Sequence, residues 1–343
     1  MGSRIPSKAP QSSEDLLNRA FDFRESLSLN SNAMRLVNGV GDQLPGLIID
    51  RYNKHFVIYG LDAGWRAQKT LLRDLLTKRF NAEFIVYKDR AASSSPNVEE
   101  IKIETLKEGL SQTVVEENGL SFHVDLNDHL NQGLFLDMRK NRRLVSSFAK
   151  DKEVLNTFAY TCSFGAHCRH AGASRVVNVD ISAKFLKKGE ENYKLNRLKT
   201  GRSEFMREHA IRYVERAAKR NNLFDIIILD PPSFARFEGK TFSVKKDMAS
   251  LMTKAMLALK AQGILFVATN CSAVSRVELE KWAWTAAKAS GSFITEIDKL
   301  GQDVDFRGSG LVKESFMSAL LLKTKRTIKD QSTNLPACRQ VAK

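Results

Sequence analysis

The chain lacks the features that mark secreted, membrane-spanning or metal-binding proteins. Its 343 residues contain only four cysteines, and Cys162 and Cys168 are too far apart for a zinc knuckle. There is no signal peptide and no apolar run of about eighteen residues. No internal repeat is evident. We therefore predict a cytoplasmic protein with free thiols, no metal and no membrane partner.

The composition favours a large core and a basic surface. Hydrophobic residues make up 43% of the chain, and 54 Lys and Arg outnumber 39 Asp and Glu, for a net charge of +15. A chain of this length suits two domains. The positive charge favours a polyanion such as nucleic acid, although many basic proteins bind none.

A strand, a tight turn, a helix and a second strand occupy residues 154–180. The turn holds one glycine, Gly165, whereas G-x-G-x-x-G has the three that let a backbone approach a pyrophosphate. Asp180 ends the second strand about twenty residues past the turn, where an acid can bind a ribose diol. These features indicate a nucleoside-bearing cofactor without phosphates, such as S-adenosylmethionine. The alternative is that Asp180 merely caps the next helix.

An acid followed by two prolines ends another predicted strand. The strand at 225–229 delivers Asp230 to the carboxyl edge of the sheet. Pro231 and Pro232 then fix the backbone and leave carbonyls free to accept from an exocyclic amine. Phe234 is placed to stack on a flat ring. The alternative is a rigid loop with an exposed acid.

Cys271 follows the predicted strand at 263–269. A thiolate there could add to C6 of a cytosine and make C5 nucleophilic enough to take a methyl group, while an acid assists at N3. The alternative is an inert, buried cysteine.

The helix that follows Gly133 is strongly basic at its start. Asp137 can cap it, and Arg139 and Arg142 project from its first turn toward the cofactor edge. An arginine there could clamp a carboxylate. The alternative is a solvated basic face.

Alternating strands and helices predict a parallel sheet with right-handed crossovers in the second half of the chain. Only a glycine-rich loop separates the last two strands, which should therefore pair antiparallel. This is an α/β, Rossmann-like fold of the class I methyltransferase type. Its seven strands are expected at 153–158, 175–180, 203–206, 224–229, 263–269, 292–297 and 316–323.

The rest of the chain divides into smaller parts. A small α+β domain, expected to bind substrate, covers residues 31–117, and the methyltransferase domain covers 118–325. Residues 1–30 form a partly disordered extension that includes a helix at 16–27. Residues 326–343 form a flexible basic tail.

Together these motifs resemble the ribosomal RNA large-subunit methyltransferase family that makes 5-methylcytosine. The resemblance covers roughly residues 30–325. It implies S-adenosyl-L-methionine as cofactor, ribosomal RNA as partner, Cys271 as nucleophile and Asp230 as the residue that holds the base. A homodimer is a further expectation. The matching segments are 42–52, 133–142, 156–161, 180–182, 230–234 and 270–272, with Asn192 and Asn196.

The expected site residues fall into two groups. Those for the cofactor are Arg139, Asn156, Phe158, Tyr160, Thr161, Cys162, Ser163, Asp180, Ile181, Ser182, Glu208, His209 and Asp230. Those for the substrate are Pro231, Pro232, Phe234 and Arg142.

Three departures from the family pattern bear on the substrate. Members usually begin with a PUA domain, for which there is no room before residue 30. In the family an acid near the adenine follows the third strand, whereas Arg207, Glu208 and His209 stand here, so the sequence does not identify the residue that contacts the adenine. The loop at 301–306 lacks a histidine-proline pair. Methylation of another RNA atom or of a small molecule, and a catalytically inactive RNA-binding protein, are the alternative functions.

Overall fold

The computed structural model describes residues 12–90, 102–128, 131–201, 203–237, 240–308 and 317–326. The disorder expected in the first residues and the basic tail beyond Arg326 lies outside these ranges. Within them, no helix is long and apolar enough to cross a membrane.

A five-stranded sheet forms the small N-terminal unit. Helix α1 (Ser13–Glu25) starts at a capping box between Ser12 and Asp15 and buries Leu17 and Phe21 in the core of this unit. It therefore belongs to the small unit and not to a separate extension. The strands lie in the order β1 (Ala33–Asn38), β2 (Leu47–Tyr52), β3 (His55–Gly60), β4 (Phe84–Asp89) and β5 (Lys102–Lys107), and helix α2 (Lys69–Phe80) connects the parallel pair β3 and β4.

A hairpin joins the small unit to the rest of the chain. Strands β6 (Gln112–Glu117) and β7 (Leu120–Asp125) pair antiparallel. Their turn is Asn118-Gly119, and both residues have positive φ, as two-residue hairpin turns require. The expected boundary between residues 117 and 118 falls inside this turn, so the division into two domains stays a prediction.

The side chains of Asn192 and Asn196, two residues of the family motif, form hydrogen bonds to this hairpin. The Asn192 side chain accepts from the backbone N–H of His123 at 3.0 Å, and that of Asn196 accepts from the N–H of Ser121 at 2.7 Å. Both asparagines hold β7 against the helix that follows Asp180.

The large sheet has the seven predicted strands. They are β8 (Glu153–Thr157), β9 (Arg175–Asp180), β10 (Phe205–Arg207), β11 (Phe224–Leu229), β14 (Leu259–Thr269), β15 (Phe293–Leu300) and β16 (Ser318–Lys325). Its spatial order is β10-β9-β8-β11-β14-β16-β15, and β16 runs antiparallel to both of its neighbours. The predicted antiparallel last pair is confirmed, and the last strand lies between the fifth and sixth.

Helices cover both faces of this sheet, which is why its central strands are continuous apolar runs. Ile227 packs into the core on one face, and Ile226 and Ile228 pack into the core on the other. A small hairpin of β12 (Phe234–Phe237) and β13 (Lys240–Ser243) was not predicted. The helices are α3 (Arg139–Ser146), α4 (Ser163–His170), α5 (Ala183–Leu195), α6 (Ala210–Lys219), α7 (Val244–Leu257) and α8 (Arg276–Ser290).

Buried ion pairs hold the small unit against the large sheet. Arg139 at the start of α3 donates to Asp303 at 2.8 Å, to Asp305 at 2.6 Å and to the carbonyl of Ala33 in β1 at 2.9 Å. Arg24 of α1 donates to the carbonyl of Asp305 at 2.8 Å. The loop after β15 is thereby fixed between α1, β1 and α3.

We expect Arg139→Met to lower the free energy of unfolding by about 3–5 kcal/mol, because Asp305 would stay buried without its cation. Urea denaturation measures this change. Arg73→Met is the matched control, since Arg73 pairs with Asp74 on the exposed surface and should cost about 1 kcal/mol or less. Equal losses in the two variants would contradict the role of the buried cluster.

Candidate functional site

The carboxyl ends of four parallel strands meet at one edge of the large sheet. Strands β8, β9, β11 and β14 pair in parallel, so the segments that follow them share this edge. A cavity of about 410 Å³ lies there, which we call the donor cavity. Its lining includes the predicted residues Asn156, Phe158, Tyr160, Ser163, Asp180, Ile181, Ser182, His209, Asp230, Pro231, Pro232 and Arg142.

The loop after β8 adopts an unusual backbone. Phe158, Tyr160 and Cys162 have φ of 52°, 49° and 61°, in the left-handed region that residues other than glycine seldom occupy. Phe158 and Tyr160 line the donor cavity, whereas Cys162 is fully buried. Such strain persists where the surrounding structure enforces it, as at binding sites. The loop thus presents two aromatic rings without a glycine-rich turn.

Asp180 fixes this loop from the neighbouring strand. One carboxylate oxygen accepts from the N–H of Tyr160 at 2.9 Å, and the other accepts from the N–H of Ser182 at 2.9 Å. Burial raises the pKa of Asp180, and these hydrogen bonds oppose the increase. Each oxygen keeps lone-pair capacity for a further donor, so a ribose diol can bind in the cavity. The helix cap of α5 is Ser182, so Asp180 is not simply a cap.

Asp230 and Asp137 line the same cavity. Burial and, to a smaller extent, the charge of Asp137 raise the pKa of Asp230 to about 7, against the opposing effect of Arg142. Burial also raises the pKa of Asp137, against the effect of Arg35 and Arg142. Asp230 is thus close to half protonated at neutral pH and can act as an acid or a base there.

Arg142 reaches the donor cavity, but its guanidinium is already bound. It donates to the two carboxylate oxygens of Glu117 at 2.6 Å and 2.7 Å and to the carbonyl of Phe135 at 2.8 Å. The side chain is almost fully buried, so the alternative of a solvated basic face is wrong.

The structure does not bring four of the expected cofactor residues to the cavity. Arg139 is bound to Asp303 and Asp305. The other three also have partners elsewhere: Thr161 donates to the carbonyl of Gly133, Cys162 is packed in the core, and Glu208 pairs with Arg216.

The predicted cap of α3 is wrong. Asp137 does not cap this helix, because the cap position is Met138.

The two segments beside Asp230 lie close together. Ser233 donates to the side chain of Asn270 at 3.1 Å, and Asn270 lines the cavity. Cys271 is half-buried, packs against the core and donates its backbone N–H to Thr269 at 3.1 Å. Its thiol does not contribute to the described cavity lining. Phe234 is 69% exposed and does not line the cavity either.

Several lining residues were missed by sequence reasoning. Asn131, Phe135 and Asp137 come from the segment before α3, and Phe185 and Asn270 follow two of the strand ends. Phe185 contacts Tyr160, with ring centroids 4.6 Å apart. The 133–142 motif indicated this segment, but the prediction assigned its arginines, Arg139 and Arg142, to the site and left out Phe135 and Asp137.

Comparisons with known proteins agree with this geometry. A family model described as S-adenosylmethionine-dependent methyltransferase matches residues 86–308. The protein named "Putative ribosomal RNA large subunit methyltransferase YwbD" from Bacillus subtilis is 31% identical over 299 residues, which cover 86% of this chain and 76% of that protein. "Ribosomal RNA large subunit methyltransferase I" from Tolumonas auensis is 31% identical over 292 residues, which cover 81% and 70%.

Solved structures share the fold. "Crystal structure of SMU.776, a putative methyltransferase complexed with SAH" has a TM-score of 0.81 and 24% identity, and covers 93% of this chain and 83% of that chain. A SAM-dependent methyltransferase from Agrobacterium tumefaciens has a TM-score of 0.63 and 18% identity, and covers 88% and 91%. The predicted Rossmann-like fold is confirmed.

We expect Asp180→Asn to weaken binding of S-adenosylmethionine at least tenfold, because an amide cannot accept both backbone N–H groups and a ribose hydroxyl. Isothermal titration calorimetry measures this affinity. Asp225→Asn is the control, because Asp225 is the second residue of β11, at the opposite edge of the sheet, and pairs with Lys260. Equal affinity in the two variants would contradict the ribose assignment.

The raised pKa of Asp230 predicts a pH-dependent stability. Between its ordinary pKa of 3.8 and about 7, the folded chain binds more proton at this carboxyl than the unfolded chain does, so rising pH weakens folding. The difference in the free energy of unfolding between Asp230→Asn and the unmodified chain should therefore change in favour of the variant from pH 4 to pH 8, by at most about 1.4 kcal/mol per pH unit.

Asp225→Asn again serves as the control for this measurement. Burial would raise the pKa of Asp225, but hydrogen bonds from Lys260 and from the N–H of Glu153 outweigh it and lower the pKa. The change that Asp225→Asn causes in the free energy of unfolding should be constant from pH 5 to pH 8. If the change caused by Asp230→Asn is constant over the same range, Asp230 is ionised throughout.

Proposed function

Because the chain belongs to the S-adenosylmethionine-dependent methyltransferase family, we propose that it methylates ribosomal RNA at C5 of a cytosine through Cys271. The observation that carries this proposal is the position of Cys271. It directly follows Asn270, which lines the donor cavity and is hydrogen-bonded to the loop of Asp230.

The cofactor S-adenosylmethionine fits the donor cavity. The volume of about 410 Å³ is in the range of small-molecule sites. Asp180 can accept from the ribose hydroxyls, and Phe158 and Tyr160 offer apolar surface for a flat base. When bound, the cofactor supplies a methyl group from a cationic sulfur.

Cys271 and Asp230 perform the chemistry on the base. The thiolate forms a bond to C6, and Asp230, half protonated near pH 7, gives its proton to N3 as the ring takes up the electron pair. C5 then forms its bond to the methyl group as the bond from that group to sulfur breaks, so that its electron pair stays on the leaving S-adenosylhomocysteine. Loss of the C5 proton to a base returns the electrons, breaks the bond from C6 to sulfur and releases the thiolate, while N3 returns its proton to Asp230.

This proposal requires a local rearrangement on substrate binding. The thiol of Cys271 packs against the core, whereas Asn270 next to it is exposed at the cavity. Residues 270–272 therefore turn so that the thiol faces the base when RNA binds.

An RNA substrate agrees with the relatives and with the charge. The two relatives described above are named as ribosomal RNA large-subunit methyltransferases, and the net charge of +15 favours a polyanion. This function implies the cytoplasm as its compartment. The homodimer stays a prediction.

We expect Cys271→Ala to lower methyl transfer about a thousandfold or more while the affinity for S-adenosylmethionine changes less than twofold. Mass spectrometry of nucleosides from treated large-subunit ribosomal RNA measures 5-methylcytidine, and calorimetry measures the cofactor. Cys168→Ala is the control, because Cys168 is buried in the core away from the cavity, and it should keep its activity.

RNA that contains 5-fluorocytosine tests the covalent step directly. A base cannot remove fluorine from C5 as it removes a proton, so the bond from Cys271 to C6 should persist. The covalent complex of protein and RNA should then migrate more slowly than the free protein on a denaturing gel. Full activity of Cys271→Ala would rule out this route, and a different methylated nucleoside would point to another RNA atom. A failure to bind S-adenosylmethionine would indicate an inactive RNA-binding protein.

A further inference from the structure

A second cavity adjoins the donor cavity on the side of the small unit. It also measures about 410 Å³, and we call it the domain cleft. Its walls come from β1, β2 and β3 of the small sheet, from the segment between Asn131 and Asp137, and from Asn270 and Ser272 on either side of Cys271. The residues that line both cavities are Asn131, Phe135, Asp137 and Asn270. The two cavities therefore meet beside the proposed nucleophile.

Gln132 lines the domain cleft and carries a buried side-chain donor. The residue is 6% exposed, and its side-chain oxygen accepts from the hydroxyl of Tyr59 at 3.0 Å and from that of Tyr52 at 3.5 Å. Its Nε2 has no hydrogen-bond partner. A buried amide that lacks a partner costs free energy, which an acceptor on a bound ligand would recover.

The backbone and neighbours of Gln132 hold it in place. Its carbonyl accepts from the N–H of Asp125 in β7 at 2.8 Å, so the hairpin fixes the main chain. Tyr59 is itself buried and is covered by the guanidinium of Arg90, 4.7 Å from its ring centroid. The amide donor is thus positioned before any ligand arrives, which lowers the cost of ordering it on binding.

The remaining walls suit a nucleotide. Arg35 donates to Asp50 and, at 2.9 Å, to Asn38. Its guanidinium lies 4.6 Å from the ring centroid of Phe306. Both polar groups and aromatic rings thus line the cleft, and Arg90, which also lines it, is exposed. A planar base with a carbonyl oxygen fits such walls, and a phosphate can reach Arg90.

We propose that the domain cleft receives the target pyrimidine nucleotide of the RNA, extruded from its stack, and that Gln132 Nε2 donates to a carbonyl oxygen of the base. This inference rests on the proposed function, because it assumes a pyrimidine substrate. The base enters from the small unit and the methyl group from the donor cavity, and they meet at the residues that the cavities share. The small unit thereby forms half of the active site.

Gln132→Ala should raise KM for unmodified large-subunit ribosomal RNA about tenfold, and Gln132→Glu should raise it further, because a carboxylate repels a base carbonyl. The Kd of S-adenosylhomocysteine should change less than twofold in both variants. Gln112→Ala is the matched control, since Gln112 is exposed on β6 outside the cleft. Gln132 variants that behave as Gln112→Ala does would overturn the inference.

Binding of cytidine 5′-monophosphate tests the site without turnover. In saturation-transfer NMR, the base protons of this nucleotide should receive saturation from the unmodified protein, and saturating S-adenosylhomocysteine should leave the signal in place. Gln132→Glu should abolish it. Loss of the signal on adding S-adenosylhomocysteine would assign the nucleotide to the donor cavity and overturn the inference. Absence of 5-methylcytidine from treated RNA, with this signal intact, would instead refute the proposed C5 chemistry.

Discussion

The ion pair between Arg142 and Glu117 is the constraint on which the site depends. Glu117 ends β6 and Arg142 lies in α3, so the pair joins the hairpin to this helix, and Arg142 also lines the donor cavity. His167 also faces Glu117, but burial lowers its pKa to about 4, so the imidazole is neutral near pH 7. The carboxylate of Glu117 is therefore balanced by Arg142, and loss of either partner would leave a buried charge.

This pairing shapes the charge of the donor cavity. Among the residues described in its lining, Asp137, Asp180 and Asp230 face one arginine, whose charge is largely compensated by Glu117. Such a lining favours a cationic sulfonium over a neutral thioether, because nearby acids attract a positive charge in a partly dry cavity.

Much of the fold and part of the site could be read from the sequence. The large sheet was predictable because strands that are buried on both faces, such as β11, appear as continuous apolar runs in the sequence. Asp180 and Asp230 could be placed at one edge because each follows or ends such a strand. The partners of Arg139 were not predictable, because Asp303 and Asp305 lie more than 160 residues away. The strained backbone at Phe158, Tyr160 and Cys162 has no residue signature, since asparagine and glycine are the usual markers of positive φ. Gln132 was missed because an unpartnered amide shows only when its surroundings are known.

The position of β16 has a consequence for how the protein matures. This strand, Ser318–Lys325, lies between β14 and β15 and pairs with both. Its first residue, Ser318, pairs with Thr269, two residues before Cys271. During synthesis β15 leaves the ribosome without its neighbour, and the end of β14 stays unsupported until β16 follows. The nascent chain therefore cannot complete the large sheet next to residues 270–272 until β16 has been made.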